Sequence, residues 1–154
     1  MSMKTNSASP AIAEVVGPSH VALEVSDLGR SIQFWRSVFG YTIFADDSAD
    51  PRQPSVKGVV GGFGVELVQT LEPVGEFASR SPGSPLGSVV LSFSVANLDA
   101  AFEKLKARKL VDVEAPADIR GVRFFSVYDP DGRAIELIQF PHPITALADL
   151  SAYI

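Results

Sequence analysis

The feature that most constrains the fold of this chain is an internal repeat with a constant offset of 70 residues. The segment HVALEVSDLGRSIQFW, which begins at His20, is matched by VLSFSVANLDAAFEKL, which begins at Val90. The later segments GVELVQT and AIELIQF match with the same offset, since Glu66 and Glu136 hold equivalent places. A constant offset across whole segments indicates a duplication. The sequence therefore predicts two copies of one structural module.

Each copy has the pattern of a strand, a helix and three further strands. Residues 20–25 alternate in polarity, as a half-buried strand does, and Asp27 and Asn97 are placed to cap the helices that follow. The first helix carries an apolar face at spacings of three and four, and the motif DPDGR predicts a hairpin, because glycine tolerates positive φ. The other predicted elements are strands at about 42–44, 57–63 and 65–70, a helix at 98–108, and strands at about 111–114, 123–129 and 134–140.

Composition excludes several kinds of chemistry and partner, and the character of the segments predicts how the chain is divided. The chain has no cysteine, which excludes disulfides, thiolate metal sites and thiol nucleophiles. Its net charge of -5, without a basic cluster, argues against nucleic acid as a partner, and no apolar run could span a membrane. We therefore expect a soluble, cytoplasmic protein. The expected division is a disordered leader (1–16), a first module (17–75), a linker (76–87), a second module (88–140) and a C-terminal tail (141–154), with both modules in one domain.

The two modules resemble the vicinal oxygen chelate superfamily. The resemblance lies in SHVALEVSDLGRSIQFWRSVFG of the first copy and FFSVYDPDGRAIELIQF of the second, and the ending DPDGxxIEL is its most specific part. That superfamily includes glyoxalase I, methylmalonyl-CoA epimerase, extradiol dioxygenases, and fosfomycin and bleomycin resistance proteins. The resemblance implies an α+β fold in which two tandem βαβββ modules form a cupped mixed sheet around a metal site.

The resemblance also implies where metal ligands would lie. The first and last strands of each module supply one ligand apiece, and the four matching places here are His20, Glu66, Val90 and Glu136. Valine is not a metal ligand, so the implied set is His20, Glu66 and Glu136, with one coordination position left open at Val90. Two carboxylates in one enclosed cup repel each other, and a divalent ion removes that cost. The metal could be Mg, Mn, Fe, Zn, Ni or Co.

The implied chemistry is that of a metal that chelates two neighbouring substrate oxygens and stabilises an enolate. This favours an isomerase, an epimerase or a glyoxalase-type lyase acting on a small oxygenated molecule, with Glu66 or Glu136 as the base. Extradiol dioxygenase chemistry is disfavoured, because its second histidine is missing at Val90. The candidate substrate-binding residues are Val90, Ser92, Ser94 and Arg123.

A different interpretation leaves the cup without metal. Bleomycin-type resistance proteins hold a drug at a dimer crevice in this way, and the missing ligand at Val90 agrees with such a binding protein. A third interpretation is an accessory domain whose site has decayed. The resemblance implies a homodimer, and the sequence leaves open whether His20 and Glu136 meet within one chain or between two.

Overall fold

The computed structural model describes residues 18–72, 90–109 and 113–142. The predicted leader and linker, and residues 143–154 of the tail, lie outside the described residues. The described elements are β1 (His20–Val25), α1 (Leu28–Phe39), β2 (Thr42–Asp47), β3 (Ser55–Val60), β4 (Phe63–Gln69), β5 (Leu91–Ser94), α2 (Leu98–Arg108), β6 (Ala117–Ile119), β7 (Val122–Tyr128) and β8 (Ala134–Gln139). The α+β fold of two tandem βαβββ modules is confirmed. None of the described helices has the length and apolar character to span a membrane.

Each module forms one four-stranded mixed sheet. The strand orders are β1-β4-β3-β2 and β5-β8-β7-β6. In both sheets the first strand pairs in parallel with the last, and the other pairs are antiparallel. The register repeats the offset of 70 residues, because Ala22 lies opposite Glu66 and Ser92 lies opposite Glu136. The duplication predicted from the sequence is therefore present strand by strand.

The helices begin where their capping residues predict. Asp27 accepts a hydrogen bond from the Arg30 amide at 2.8 Å, and Asn97 accepts one from the Ala100 amide at 2.9 Å. The first helix ends at Gly40, whose φ of 68° is the left-handed conformation that glycine adopts without strain. Local sequence thus decides both ends of α1.

The two modules share one apolar core. Trp35 of α1 is completely buried, and its ring meets Phe93 of β5 edge-on, with the ring centroids 6.3 Å apart. Phe39 also packs on Phe93, at 5.5 Å between centroids. Since removal of apolar surface from water is the main favourable term in folding, this contact ties the stability of one module to that of the other.

A polar junction joins the modules beside this core. Asp131, in the turn between β7 and β8, accepts hydrogen bonds from the Ser26 amide, at 3.1 Å, and from the Ser26 hydroxyl. Arg30 of α1 lies 3.7 Å from the same carboxylate. We call Ser26, Arg30 and Asp131 the polar junction.

Two predicted strand positions are wrong. The first hairpin turns at Gly61 and Gly62, with φ of 54° and 82°, rather than at Gly64, so the strand predicted at 57–63 ends at Val60. Positive φ at both central residues is the mark of a type I′ turn. In the second module the strand predicted at 111–114 is reduced, in its described part, to a bridge between Val113 and Val127, and β6 takes the edge position instead. Residues 110–112 lie outside the described residues.

Candidate functional site

Each sheet has one face in the core and one open face. On β1, Leu23 and Val25 are buried, whereas His20, Ala22 and Glu24 are exposed. Side chains alternate between the two faces of a strand, so Glu66 and Lys57, which pair across β3 and β4, lie on the open face of the first sheet. This is the face that the repeat predicts to carry the site.

The open face of the first sheet brings three charged or polar groups together. His20 Nε2 lies 3.2 Å from one carboxylate oxygen of Glu66, and Lys57 Nζ lies 3.5 Å from the other. The Glu66 side chain is only 16% exposed, against 43% for His20. The Ser19 hydroxyl contacts His20 Nδ1 at 2.9 Å and so helps to orient the ring. We call His20, Glu66 and Lys57 the charged cluster.

His20 can lie against β4 because its neighbour there has no side chain. A Cβ at Gly64 would be 2.9 Å from His20 Cβ and 2.8 Å from the Ser19 carbonyl oxygen, which is closer than real Cβ atoms come. In the second module the repeat puts Ala134 and Val90 at these two positions, and neither supplies a donor side chain. The first module alone therefore carries a histidine next to its strand glutamate.

Tyr41 joins the two strands that carry Lys57 and Glu66. Its hydroxyl shares one proton between the carbonyl oxygens of Val65, at 2.9 Å, and Val56, at 3.3 Å, and so ties β4 to β3. Burial, with a smaller contribution from the Glu66 charge, raises the pKa of Tyr41 to about 12. The phenol stays protonated and neutral over the ordinary pH range.

Glu136 lies apart from the charged cluster. Its carboxylate accepts a hydrogen bond from the Ser92 hydroxyl at 2.6 Å. Ser92 and Ser94 are exposed on one face of β5, and Val90 is half-buried just before that strand. Among residues 18–72, 90–109 and 113–142, no three His, Cys, Asp or Glu side chains come together as a metal site. The structure thus pairs His20 with Glu66 and pairs Glu136 with Ser92 instead.

Arg123 faces away from Glu136. It shares the face of β7 that carries the buried Phe125 and Val127, and its guanidinium forms two hydrogen bonds to Asp99 of α2, at 2.9 and 2.7 Å. These bonds hold the pKa of Asp99 below its ordinary value and the pKa of Arg123 above it. The position predicted for an anionic substrate contact is therefore on the helix side of the sheet, with its charge already paired.

Lys57 is the site residue that the sequence-based prediction missed. It is the one cation in the strand SVKGVV, and it lies directly opposite Glu66 in the register of β3 and β4. A hairpin turning at Gly61 and Gly62 puts these two residues across from each other. The signal was therefore present in the glycines, but it required the correct turn.

Comparison with known proteins identifies the family. Residues 17–137 match the family model described as Glyoxalase/Bleomycin resistance protein/Dioxygenase superfamily. The chain belongs to this superfamily. No curated protein sequence matches it significantly.

Solved structures of the superfamily share the fold. A glyoxylase/bleomycin resistance protein/dioxygenase domain from Frankia sp. EAN1pec is 23% identical, with a TM-score of 0.67, over 82% of this chain and 99% of that one. The fosfomycin resistance protein FosX from Mesorhizobium loti is 22% identical, with a TM-score of 0.63, over 90% and 99%. A mutant of FosX from Listeria monocytogenes, in complex with Mn(II) and 1S,2S-dihydroxypropylphosphonic acid, is 17% identical, with a TM-score of 0.63, over 82% and 94%. At these identities the likeness shows the fold.

Proposed function

We propose that this protein is a metal-dependent enzyme that acts on a small oxygenated molecule by isomerase, epimerase or lyase chemistry. The observation that carries the proposal is the 3.2 Å separation of His20 Nε2 and a Glu66 oxygen on the open face. Nitrogen and oxygen ligands lie about 2 Å from a metal such as Zn²⁺, so one ion can bind both atoms with little movement. The Mn(II) in the FosX structure from Listeria monocytogenes supports a divalent metal.

The two donors fit a metal only if a third joins them, and we propose Glu136 of a second copy for that place. Glu136 occupies, in the second sheet, the register position that Glu66 occupies in the first. A homodimer that pairs the first module of one copy with the second module of the other would bring His20 and Glu66 to the partner's Glu136. Symmetric dimers form such shared sites twice.

The residues of the chain then take distinct roles. When bound, the metal would supply Lewis-acid stabilisation of an enolate. Glu66 and Glu136 are the candidate bases, since each is a half-buried carboxylate on an open sheet face. Ser92 holds the Glu136 carboxylate by its hydrogen bond. Ser94 and Val90 belong to the proposed substrate-binding surface, and the paired Arg123 does not.

The direct test is metal content after purification without added metal. We expect stoichiometric metal in the wild-type protein and at least a tenfold weaker affinity in His20→Ala and Glu136→Gln, because each variant removes one ligand. Added Mn²⁺ should raise the stability of the wild type by about 3 kcal/mol at a hundredfold excess over Kd. Glu24→Gln is the matched control, since Glu24 is exposed on the face of His20. A wild-type protein without metal and without this stabilisation would contradict the proposal.

Mixing the two variants tests whether the site is shared. Neither His20→Ala nor Glu136→Gln contains a complete ligand set, but a mixed dimer has one intact site and one doubly defective site. Random mixing should restore about a quarter of the wild-type metal content. If the dimers exchange subunits and the metal content is still not restored, the ligands do not come from two copies.

A second candidate is a metal-free protein that binds a small molecule in the same cup. The observation that favours it is Lys57, because an ammonium group 3.5 Å from Glu66 already compensates that carboxylate. Lys57→Met separates the candidates. In a metal enzyme, loss of this competing cation should strengthen metal binding. In a metal-free protein, metal binding should stay absent and the free energy of unfolding should fall, because Glu66 loses its compensating charge.

A further inference from the structure

The polar junction between the modules has a counterpart elsewhere in the molecule whose side chains are missing. The offset of 70 residues takes Ser26 to Ala96 and Arg30 to Ala100. The counterpart of the turn that carries Asp131 is the β3–β4 turn at Gly61 and Gly62. Eight residues separate the paired Lys57 and Glu66, whereas nine separate the equivalent pair Ser126 and Glu136, so the first hairpin is one residue shorter. All three side chains that fill the polar junction are thus absent or reduced to methyl groups at the related place.

A half-open cavity of about 490 Å³ lies at this place. Its walls include Gly61, Ala96 and Ala100, together with the end of α1 and the side of α2. A Cβ added at Gly61 would meet no atom within 4 Å. The cavity therefore occupies the space that, in the polar junction, the side chains of Asp131 and Arg30 fill.

The polar groups that line the cavity include two cations of α2, and its two known acceptors, the Ser37 carbonyl and the Asn97 side-chain oxygen, already accept from Arg108 and the Ala100 amide. In the polar junction the Ser26 amide donates to the carboxylate of Asp131. The equivalent amide of Ala96 donates to no residue of the described chain. Lys104 and Arg108 of α2 line the cavity, and neither is paired with a carboxylate of the described residues. Two positive charges, and an amide that has no acceptor among the described residues, favour an anion.

The remaining walls are mostly apolar, with Ser37, Ser94 and Asn97 as the other polar residues. Val38 and Phe39 come from α1, Phe93 from β5 and Leu105 from α2. Cavities with apolar walls and a few directed polar groups are the usual binding sites for small molecules.

We propose that this cavity binds a small molecule with one carboxylate and a compact apolar body. The carboxylate takes the place that the Asp131 carboxylate takes in the polar junction, beside the Ala96 amide, with Lys104 on the same wall of the cavity. The site contains none of His20, Glu66 and Glu136, and it shares only Ser94 with the substrate-binding surface of the proposed function. Because its walls come from both modules, an occupant would stabilise their packing.

The test uses the full-length protein with sodium benzoate as the probe, followed by amide NMR. We expect saturable shifts of the Ala96 and Gly61 amides with benzoate. Benzyl alcohol, the uncharged analogue, should bind at least about tenfold more weakly at equal ionic strength. Lys104→Met should weaken benzoate binding about threefold to tenfold, whereas Lys106→Met, a cation of the same helix outside the cavity, should not.

Gly61→Asp gives the decisive variant. Asp-Gly is a preferred pair in type I′ turns, so the hairpin should be retained while the protein's own carboxylate enters the cavity. We expect benzoate binding to fall at least about tenfold, with metal content unchanged. Ala100→Arg, which restores the counterpart of Arg30, provides a second variant that fills the cavity without altering the turn. Absent saturation, equal affinity for benzyl alcohol, or undiminished binding in both filled variants would overturn the proposal.

Discussion

Tyr41 shows how one buried hydroxyl makes the stability of the first sheet depend on pH. Its pKa is raised from 10.0 to about 12, chiefly by burial. A pKa that is higher in the folded state favours folding while the group is protonated, so this stability is complete below pH 10.0 and is lost as the pH rises towards 12. Tyr41→Phe should remove this part of the alkaline destabilisation and should cost about 1 kcal/mol at neutral pH through the loss of its shared hydrogen bond to Val65 and Val56.

Urea unfolding across the alkaline range measures both effects. Tyr128→Phe provides a control that removes a tyrosine hydroxyl from the second module. If Tyr41→Phe and the wild type lose equal stability between about pH 10 and pH 12, the assignment of this pH dependence to Tyr41 is wrong.

At the scale of elements, a glutamine side chain at the end of the last strand holds the first turn of the helix in each module. The Gln69 side chain accepts a hydrogen bond from the Leu28 amide at 3.1 Å, and Gln139 accepts one from the Leu98 amide at 2.7 Å. These amides belong to the first turn of the helix, where N–H groups have no acceptor within the helix itself. Gln69→Met and Gln139→Met should each lower the free energy of unfolding by about 1 kcal/mol, because each leaves one amide without its acceptor.

Thermal and urea unfolding check this expectation. Gln33→Met is the matched control, since Gln33 is exposed on α1, and it should change stability by less than about 0.5 kcal/mol. If only one of the two variants loses stability, the two related hydrogen bonds do not contribute equally and the expectation is wrong.

The elements also show what the sequence could predict. Both helices, the capping residues Asp27 and Asn97, and the register shared by Glu66 and Glu136 followed from local periodicity and from the repeat. The position of the β3–β4 turn was predicted wrongly because GGFG contains three glycines. Which two of them adopt positive φ depends on how β3 pairs with β4, and here they are Gly61 and Gly62. Lys57, which lies opposite Glu66, was missed for the same reason.

The placement of the candidate site depends on longer-range packing. Alternation put His20 and Glu66 on one face, but it carried no information on how the two sheets are arranged. Among the described residues, Glu136 does not join His20 and Glu66, and Arg123 pairs with Asp99; both results depend on module and helix packing. Such contacts between distant segments leave no periodic signal in one sequence.

At the scale of the whole molecule, the shared core predicts that the two modules unfold together. The single tryptophan, Trp35, lies in the first module and packs on Phe93 of the second. Ile135, completely buried in β8, is the counterpart of Val65 in the first module. Ile135→Val removes one methylene from the second module and should lower the free energy of unfolding by about 1 kcal/mol.

The fluorescence of Trp35 and the far-UV circular dichroism signal distinguish joint from separate unfolding. If the core is cooperative, the substitution should lower the denaturant midpoint equally for both probes, although Trp35 is in the other module. Glu103→Gln, on the exposed side of α2, should leave both midpoints unchanged. A fluorescence midpoint that stays at its wild-type value while the circular dichroism midpoint falls would mean that the first module folds alone. The contact between Trp35 and Phe93 would then contribute little to stability.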